Sequence, residues 1–160
     1  MKIKNVVFLI TALLALTYTG LAQESKKPTA DTYDAQLAKR LGADEYGMRN
    51  YVFVLLKNGP NESKIQGKER DDLFAGHLAN IKRLAVEGKL VVAGPFGGND
   101  RGYRGIFIIN ATTVEEAQKL VETDPAVKAG ALMPEFTPLY CSASLVMIND
   151  LHKKVMKTSF

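Results

Sequence analysis

Tyr51-Val-Phe-Val-Leu-Leu-Lys57 (YVFVLLK) is an unbroken run of aromatic, β-branched and aliphatic side chains. It is too short for a helix and too apolar for a half-wet strand, so it reads as a buried strand. The next stretch, Asn58–Lys68, is rich in Gly, Pro, Asn and Ser and reads as a loop. Arg70–Glu87 then has helical spacing, with Phe74, Leu78, Ile81, Leu84 and Ala85 on one side and Gly88 as a stop signal. Leu90–Ala93 is a second strand. Gly94–Arg104 is a Gly-rich connection, and Gly105–Asn110 (GIFIIN) a third strand. Thr113-Val-Glu-Glu116 is a capping box that opens a second helix, with Val114, Ala117, Leu120 and Val121 on its apolar side and Pro125 near its end. The last extended stretch is Phe136–Val146, and Pro134 and Pro138 near its start point to an edge strand.

The resulting order, β-α-β-β-α-β, is the split βαβ or ferredoxin-like arrangement: an α+β fold with an antiparallel sheet and both helices on one face. The strands are nearly all apolar, so the other face needs a cover too. A second copy of the sheet is the expected cover, which predicts a homodimer. Fold order alone assigns no chemistry.

Outside this unit the chain changes character. Lys2 and Lys4 precede an apolar run, Val6–Leu16, and Gly20 and Ala22 supply small residues ahead of a cut before Gln23. Residues 1–22 therefore read as a signal peptide, too short in its apolar run to span a membrane comfortably. That predicts a periplasmic or secreted protein with no stable membrane insertion after cleavage. Residues 23–48 form a leader arm, polar at first, in which Tyr33, Leu37 and Leu41 mark a short amphipathic helix closed by Gly42. The main domain is expected over 49–147, and 148–160 reads as a basic, frayed tail. The 160 residues suit one domain. Removing 1–22 takes two of the 21 Lys and Arg and none of the 17 Asp and Glu, so the net charge falls from +4 to +2. So small a charge does not point to nucleic acid. One Cys, Cys141, excludes an intrachain disulfide, and no residue cluster has metal-ligand spacing.

Two polar groups sit where apolar ones belong. With Phe74 at zero on a helical wheel, His77 falls at ~300°, between Leu84 at ~280° and Ile81 at ~340°. That places His77 facing the sheet, with Asn80 at the edge of the same stripe. Asp124 continues the buried side of the second helix, one turn after Leu120. A buried acid needs a partner, and both helices lie on one face of the sheet, so His77 and Asp124 are candidates to meet. A carboxylate on one imidazole nitrogen sets the tautomer and leaves the other nitrogen for proton transfer. The same residues also fit a purely structural His–Asp bond, or an N-cap made by Asp124. Other signals are weaker. Gly94-Pro-Phe-Gly-Gly-Asn-Asp100 lacks the Lys and Ser/Thr of a phosphate loop. Arg101 and Arg104 suit an anionic group, but loop arginines are more often simply solvated.

These residues resemble the YCII-related (YciI-like) family over Tyr51–Leu145. The resemblance rests on the YVFVLLK strand, His77 in FAGHLANI, the turn after LVVAGPF, GIFIIN, and Asp124-Pro125 in ETDPAVKAG. LAKRLGADEYGMRNYVF looks like the leader of a longer, secreted subgroup. The resemblance implies a dimeric α/β barrel with an active site around His77 and Asp124, and no cofactor. A few relatives are dehydrochlorinases of chlorinated hydroquinones, while most have no assigned reaction. Two readings follow. One is a cofactor-free lyase- or isomerase-type enzyme for a small cyclic or phenolic substrate, with His77 as base, Asp124 behind it, Phe96 and Tyr140 lining the pocket and Arg104 holding an anion. The other is a non-catalytic dimeric small-molecule-binding module of the cell envelope.

Overall fold

The computed structural model describes residues 32–158. The signal peptide expected over 1–22 and the first part of the leader lie outside them. Within them the chain is α+β with a single four-stranded antiparallel sheet in the order β2-β3-β1-β4. The strands are β1 (Met48–Asn58), β2 (Leu90–Pro95), β3 (Tyr103–Ile109) and β4 (Leu132–Ser142). The helices are α1 (Ala35–Leu41), α2 (Gly67–Val86), α3 (Val114–Val121), α4 (Pro125–Lys128) and α5 (Ile148–Val155). The βαββαβ core expected from the sequence is present, and its ends carry the differences.

Alternation along β1 divides the sheet into two faces. Val52, Val54 and Leu56 share one face with Phe107 and Ile109 of β3, and these form the core with Leu84 of α2 and Ala117 and Val121 of α3. The capping box works as read, with a shift of one residue. Thr113 Oγ1 accepts from Glu116 N at 3.2 Å, and Glu116 reaches back to Thr112 N at 3.2 Å. On α1, Asp34 caps the start by accepting from Leu37 N, and Gly42 closes the end at φ 66°.

The last strand begins four residues earlier than expected. Leu132 pairs with Asn58, so Pro134 and Pro138 lie inside β4 rather than at its start. They are tolerated because β4 is an edge strand whose only ladder is with β1. The strand ends at Ser142, whose hydroxyl accepts from Ser144 N and opens a 3-10 turn over Ala143–Met147. The expected tail is the helix α5, tied down where Asn149 Nδ2 donates to the Leu90 carbonyl at 2.8 Å.

This C-terminal segment covers one end of the outer sheet face. Tyr51 points to that face yet is 1% exposed, and its hydroxyl donates to the Ser142 carbonyl at 3.0 Å. Phe53, Leu55, Ile106, Ile108 and Leu139, also on the outer face, remain partly exposed. Among the described residues no helix is long and apolar enough to cross a membrane.

Asp44 organises the turn from α1 into β1. One carboxylate oxygen accepts from the Tyr46 and Met48 amides, each at 2.9 Å. The other accepts from the hydroxyl of Tyr140 on β4. The Tyr140 bond first, and the Met48 amide second, hold the Asp44 carboxyl below its ordinary range. A depressed carboxyl stabilises the fold above its unfolded value, about 3.9 for aspartate, and that contribution is lost as pH falls through the folded value. Asp44→Asn is therefore expected to flatten the acid limb of the melting temperature below about pH 4, as read by thermal melts across a pH series.

Candidate active site

His77 lies on the buried face of α2 and Asp124 in the turn between α3 and α4. His77 Nδ1 and Asp124 Oδ2 are 2.6 Å apart, with Asp124 fully buried. The helix α3 ends at Val121, so Asp124 does not continue its face as the sequence reading expected. Instead it is the N-cap of α4, with Pro125 in the first turn. Its other oxygen, Oδ1, accepts from Ala126 N at 2.9 Å. The two structural alternatives left open by the sequence are thus realised together, one on each oxygen of a single carboxylate.

The approach of α2 to this turn depends on a missing side chain. A Cβ built at Gly76 would stand 3.1 Å from Pro125 Cγ. Glycine at 76 lets the two backbones close until the imidazole meets the carboxylate. The ring is then held from both sides. It stacks on Phe107 of β3 at 6.0 Å between centroids and meets Phe74 edge-on at 5.7 Å. With the carboxylate accepting, Nδ1 carries the proton, and Nε2 has no hydrogen-bond partner among the described residues.

His77 lines a cavity of about 310 Å³ between α2 and the sheet. Its walls are mainly apolar and include Leu56, Phe74, Ile81, Phe107 and Leu132, while Leu78, 44% exposed, lines it too. The exposure of Leu78 departs from the buried position expected of it. The buried residues of α2 are His77, Asn80 and Leu84, while Leu78 borders the cavity and keeps part of its surface exposed.

Arg104 lines the same cavity. Leu56 pairs with Gly105 but Lys57 with Tyr103, so Arg104 is the extra residue of a β-bulge on β3. A bulge re-aims the side chain it carries, here into the cavity. Its guanidinium has no ion-pair or hydrogen-bond partner among the described residues. Two other expected lining residues do not join it. Phe96 follows β2, is 45% exposed and packs on Tyr103 at 6.3 Å, outside the cavity wall. Tyr140 pairs with Asn50 near the start of β1, whereas the cavity lies over the end of β1, around Leu56. An antiparallel β4 carries its late residues back to the far end of β1, where Tyr140 meets Asp44. Sequence reading missed the contributions of Leu56, Gly105 and Leu132, which look like ordinary strand residues.

The cluster is an imidazole whose Nδ1 is fixed by a buried acid, on the wall of a mainly apolar cavity that also carries Arg104, a cation with no partner among the described residues. That arrangement can take up and return a proton. Removing the carboxylate should cost folding energy twice, through the orphaned Nδ1–H and through the lost cap. Asp124→Ala is expected to lose about 3 kcal/mol in urea denaturation, and Asp124→Asn, which keeps an acceptor, roughly half of that.

The YCII-related domain family matches residues 51–134, more than half of the chain, and the match contains both His77 and Asp124. No curated protein matches the sequence. Among solved structures, the chain is similar to 5-chloro-2-hydroxyhydroquinone dehydrochlorinase from Burkholderia phenoliruptrix, solved in complex with 2,5-dihydroxybenzoquinone. The identity is 27%, covering 56% of this chain and 90% of that one, with a TM-score of 0.39. That score is too low for the superposition to place residues of one chain on the other. The family match runs from Tyr51 in β1 to Pro134 in β4, and by it the chain belongs to the YCII-related domain family.

Proposed function

We propose that this protein is an exported enzyme that performs general acid–base chemistry on a small cyclic or phenolic substrate, using its own side chains and no cofactor. The observation that carries the reading is the His77–Asp124 bond at the wall of an apolar cavity, with Nε2 left without a hydrogen-bond partner among the described residues. His77 Nε2 takes a proton from the substrate. In an isomerisation the same proton returns at another atom of the ring. In an elimination the electron pair left behind expels an anionic leaving group. Asp124 keeps the ring in the reactive tautomer and balances the imidazolium when it forms. Arg104 holds an anionic substituent, a phenolate or carboxylate, and the aromatic and aliphatic walls accept the ring body.

The rest of the proposal concerns assembly and place. The partly exposed apolar row Phe53, Leu55, Ile106, Ile108 and Leu139 supports pairing with a second copy through the outer sheet face, as a dimeric α/β barrel. The basic and apolar opening residues support export. Expressed with residues 1–22, the protein is expected in the periplasm beginning at Gln23 and at twice the mass of one chain in light scattering, with Ile106→Lys shifting it to the monomer. A monomeric wild type at micromolar concentration would count against the barrel.

The chemistry is tested with a panel of hydroxylated and chlorinated six-membered rings in deuterated buffer, following deuterium uptake and released chloride by NMR and ion chromatography. His77→Ala is expected to lower turnover by about 10²–10⁴-fold. Arg104→Met should raise KM for anionic substrates about tenfold with little change in kcat. Binding of the same rings without turnover, equal in wild type and His77→Ala, would instead identify a binding module.

A further inference from the structure

The bond between His77 and Asp124 is one of two ties between α2 and the turn that precedes α4. The second lies one helical turn further along α2. Asn80 is 8% exposed, and its Oδ1 accepts from Arg83 Nη2 at 2.8 Å and stands 3.0 Å from Thr123 Oγ1. Arg83 Nη2 also donates to Thr123 Oγ1 at 2.9 Å. Thr123 is the residue immediately before Asp124. We propose that Asn80, Arg83 and Thr123 form a positioning latch that holds the Asp124 carboxylate at bonding distance from His77.

Three observations point this way. First, the α4 helix has only four residues, and both Asp124 carboxylate oxygens are already engaged, Oδ1 with its own turn and Oδ2 with His77. Thr123 gives the turn a tie to α2 that does not draw on the Asp124 carboxylate. Second, Arg83 is itself braced. Its other terminal nitrogen, Nη1, donates to Glu87 one turn on, at 2.8 Å, which orients the guanidinium so that Nη2 can serve both Asn80 and Thr123. The hydroxyl of Thr123 has two acceptors within reach, Asn80 Oδ1 and the Leu120 carbonyl at 2.6 Å, for its single proton. The Arg83 bridge persists whichever of them takes it. Third, Asn80 Nδ2 is buried with no partner among the described residues. A leucine would fill a site on the apolar side of α2 without burying an empty donor. What asparagine adds there is the acceptor Oδ1, which is the atom the latch uses.

The latch bears on His77 as a base, yet its test needs no substrate. The readout is the His77 Nδ1 proton, followed by NMR in ring-¹⁵N-labelled protein, together with its exchange with solvent. His152 is the only other histidine, and it is exposed. The wild type should show a protected Nδ1–H. Thr123→Val and Asn80→Leu should speed its exchange about tenfold or abolish the signal, while Thr123→Ser and Asn80→Asp, which keep the hydroxyl and the acceptor, retain it. Asn80→Leu removes the buried empty donor and is expected to melt no lower than wild type, which separates positioning from a simple loss of stability. If Thr123→Val does not fold, Asn80→Leu gives the same reading. Wild-type exchange in both Asn80→Leu and Thr123→Val would overturn the proposal, as would a wild type without a protected Nδ1–H. A protein with the latch signature but no turnover would overturn the enzymatic reading and leave the latch standing.

Discussion

A carboxylate with no exposure to water must find donors for both of its oxygens, and Asp124 is such a group. One donor comes from within its own turn, the Ala126 amide, and makes Asp124 the cap of α4. The other has to come from a different element, and His77 on α2 supplies it. Much of the site follows from that demand. The helix α2 must come close enough, which Gly76 permits against Pro125. The imidazole must then lie over β3, where Phe107 supports it. Its second nitrogen is left without a partner among the described residues, on a side chain that lines the cavity.

The sheet contributes to the site through its irregularities more than through its regular ladder. A strand without a bulge would keep strict alternation with Gly105, Phe107 and Ile109, and Arg104 would fall on the outer face. The extra residue in β3 breaks that alternation just before the strand enters its regular run, and the arginine lines the cavity instead. Gly105 beside it has the space problem of a close approach: a Cβ there would stand 2.6 Å from the Gly94 carbonyl oxygen on β2. Bulge and glycine together put one unpaired cation into walls that are otherwise mostly hydrocarbon. A cation in such surroundings attracts an anionic group strongly, because little water competes for it.

The outer face has a different logic. Its N-terminal end is closed by the chain itself, through the 3-10 turn after β4 and the hydroxyl of Tyr51. The remainder is apolar and only partly shielded. This division puts the cavity and the His77–Asp124 pair on the helix side and the partly exposed apolar row on the other face.

Local pattern alone was enough for the βαββαβ order of the core, the capping box of α3, the glycine stop of α1 and the edge position of the last strand, though not for α4 or α5. Each of these depends on residues within a few positions of one another, where periodicity, caps and proline geometry act. His77 was also legible, because a polar residue inside an apolar stripe is a visible local contradiction, whereas Asp124 was singled out by extending α3 past its end at Val121. Their distance was not, since they stand 47 positions apart in the chain and only packing of α2 against α4 brings them together. Tyr140 and Phe96 were misplaced for the same reason. An aromatic residue near a predicted pocket carries no sign of which end of an antiparallel strand it will occupy. The roles of Arg104 and Thr123 were set later still, by a bulge and by a second helix. Sequence by itself determined which residues must be buried and which of them would need partners. The tertiary structure decided who those partners are, because hydrogen bonds across elements depend on distances of a few tenths of an ångström that no spacing along the chain encodes.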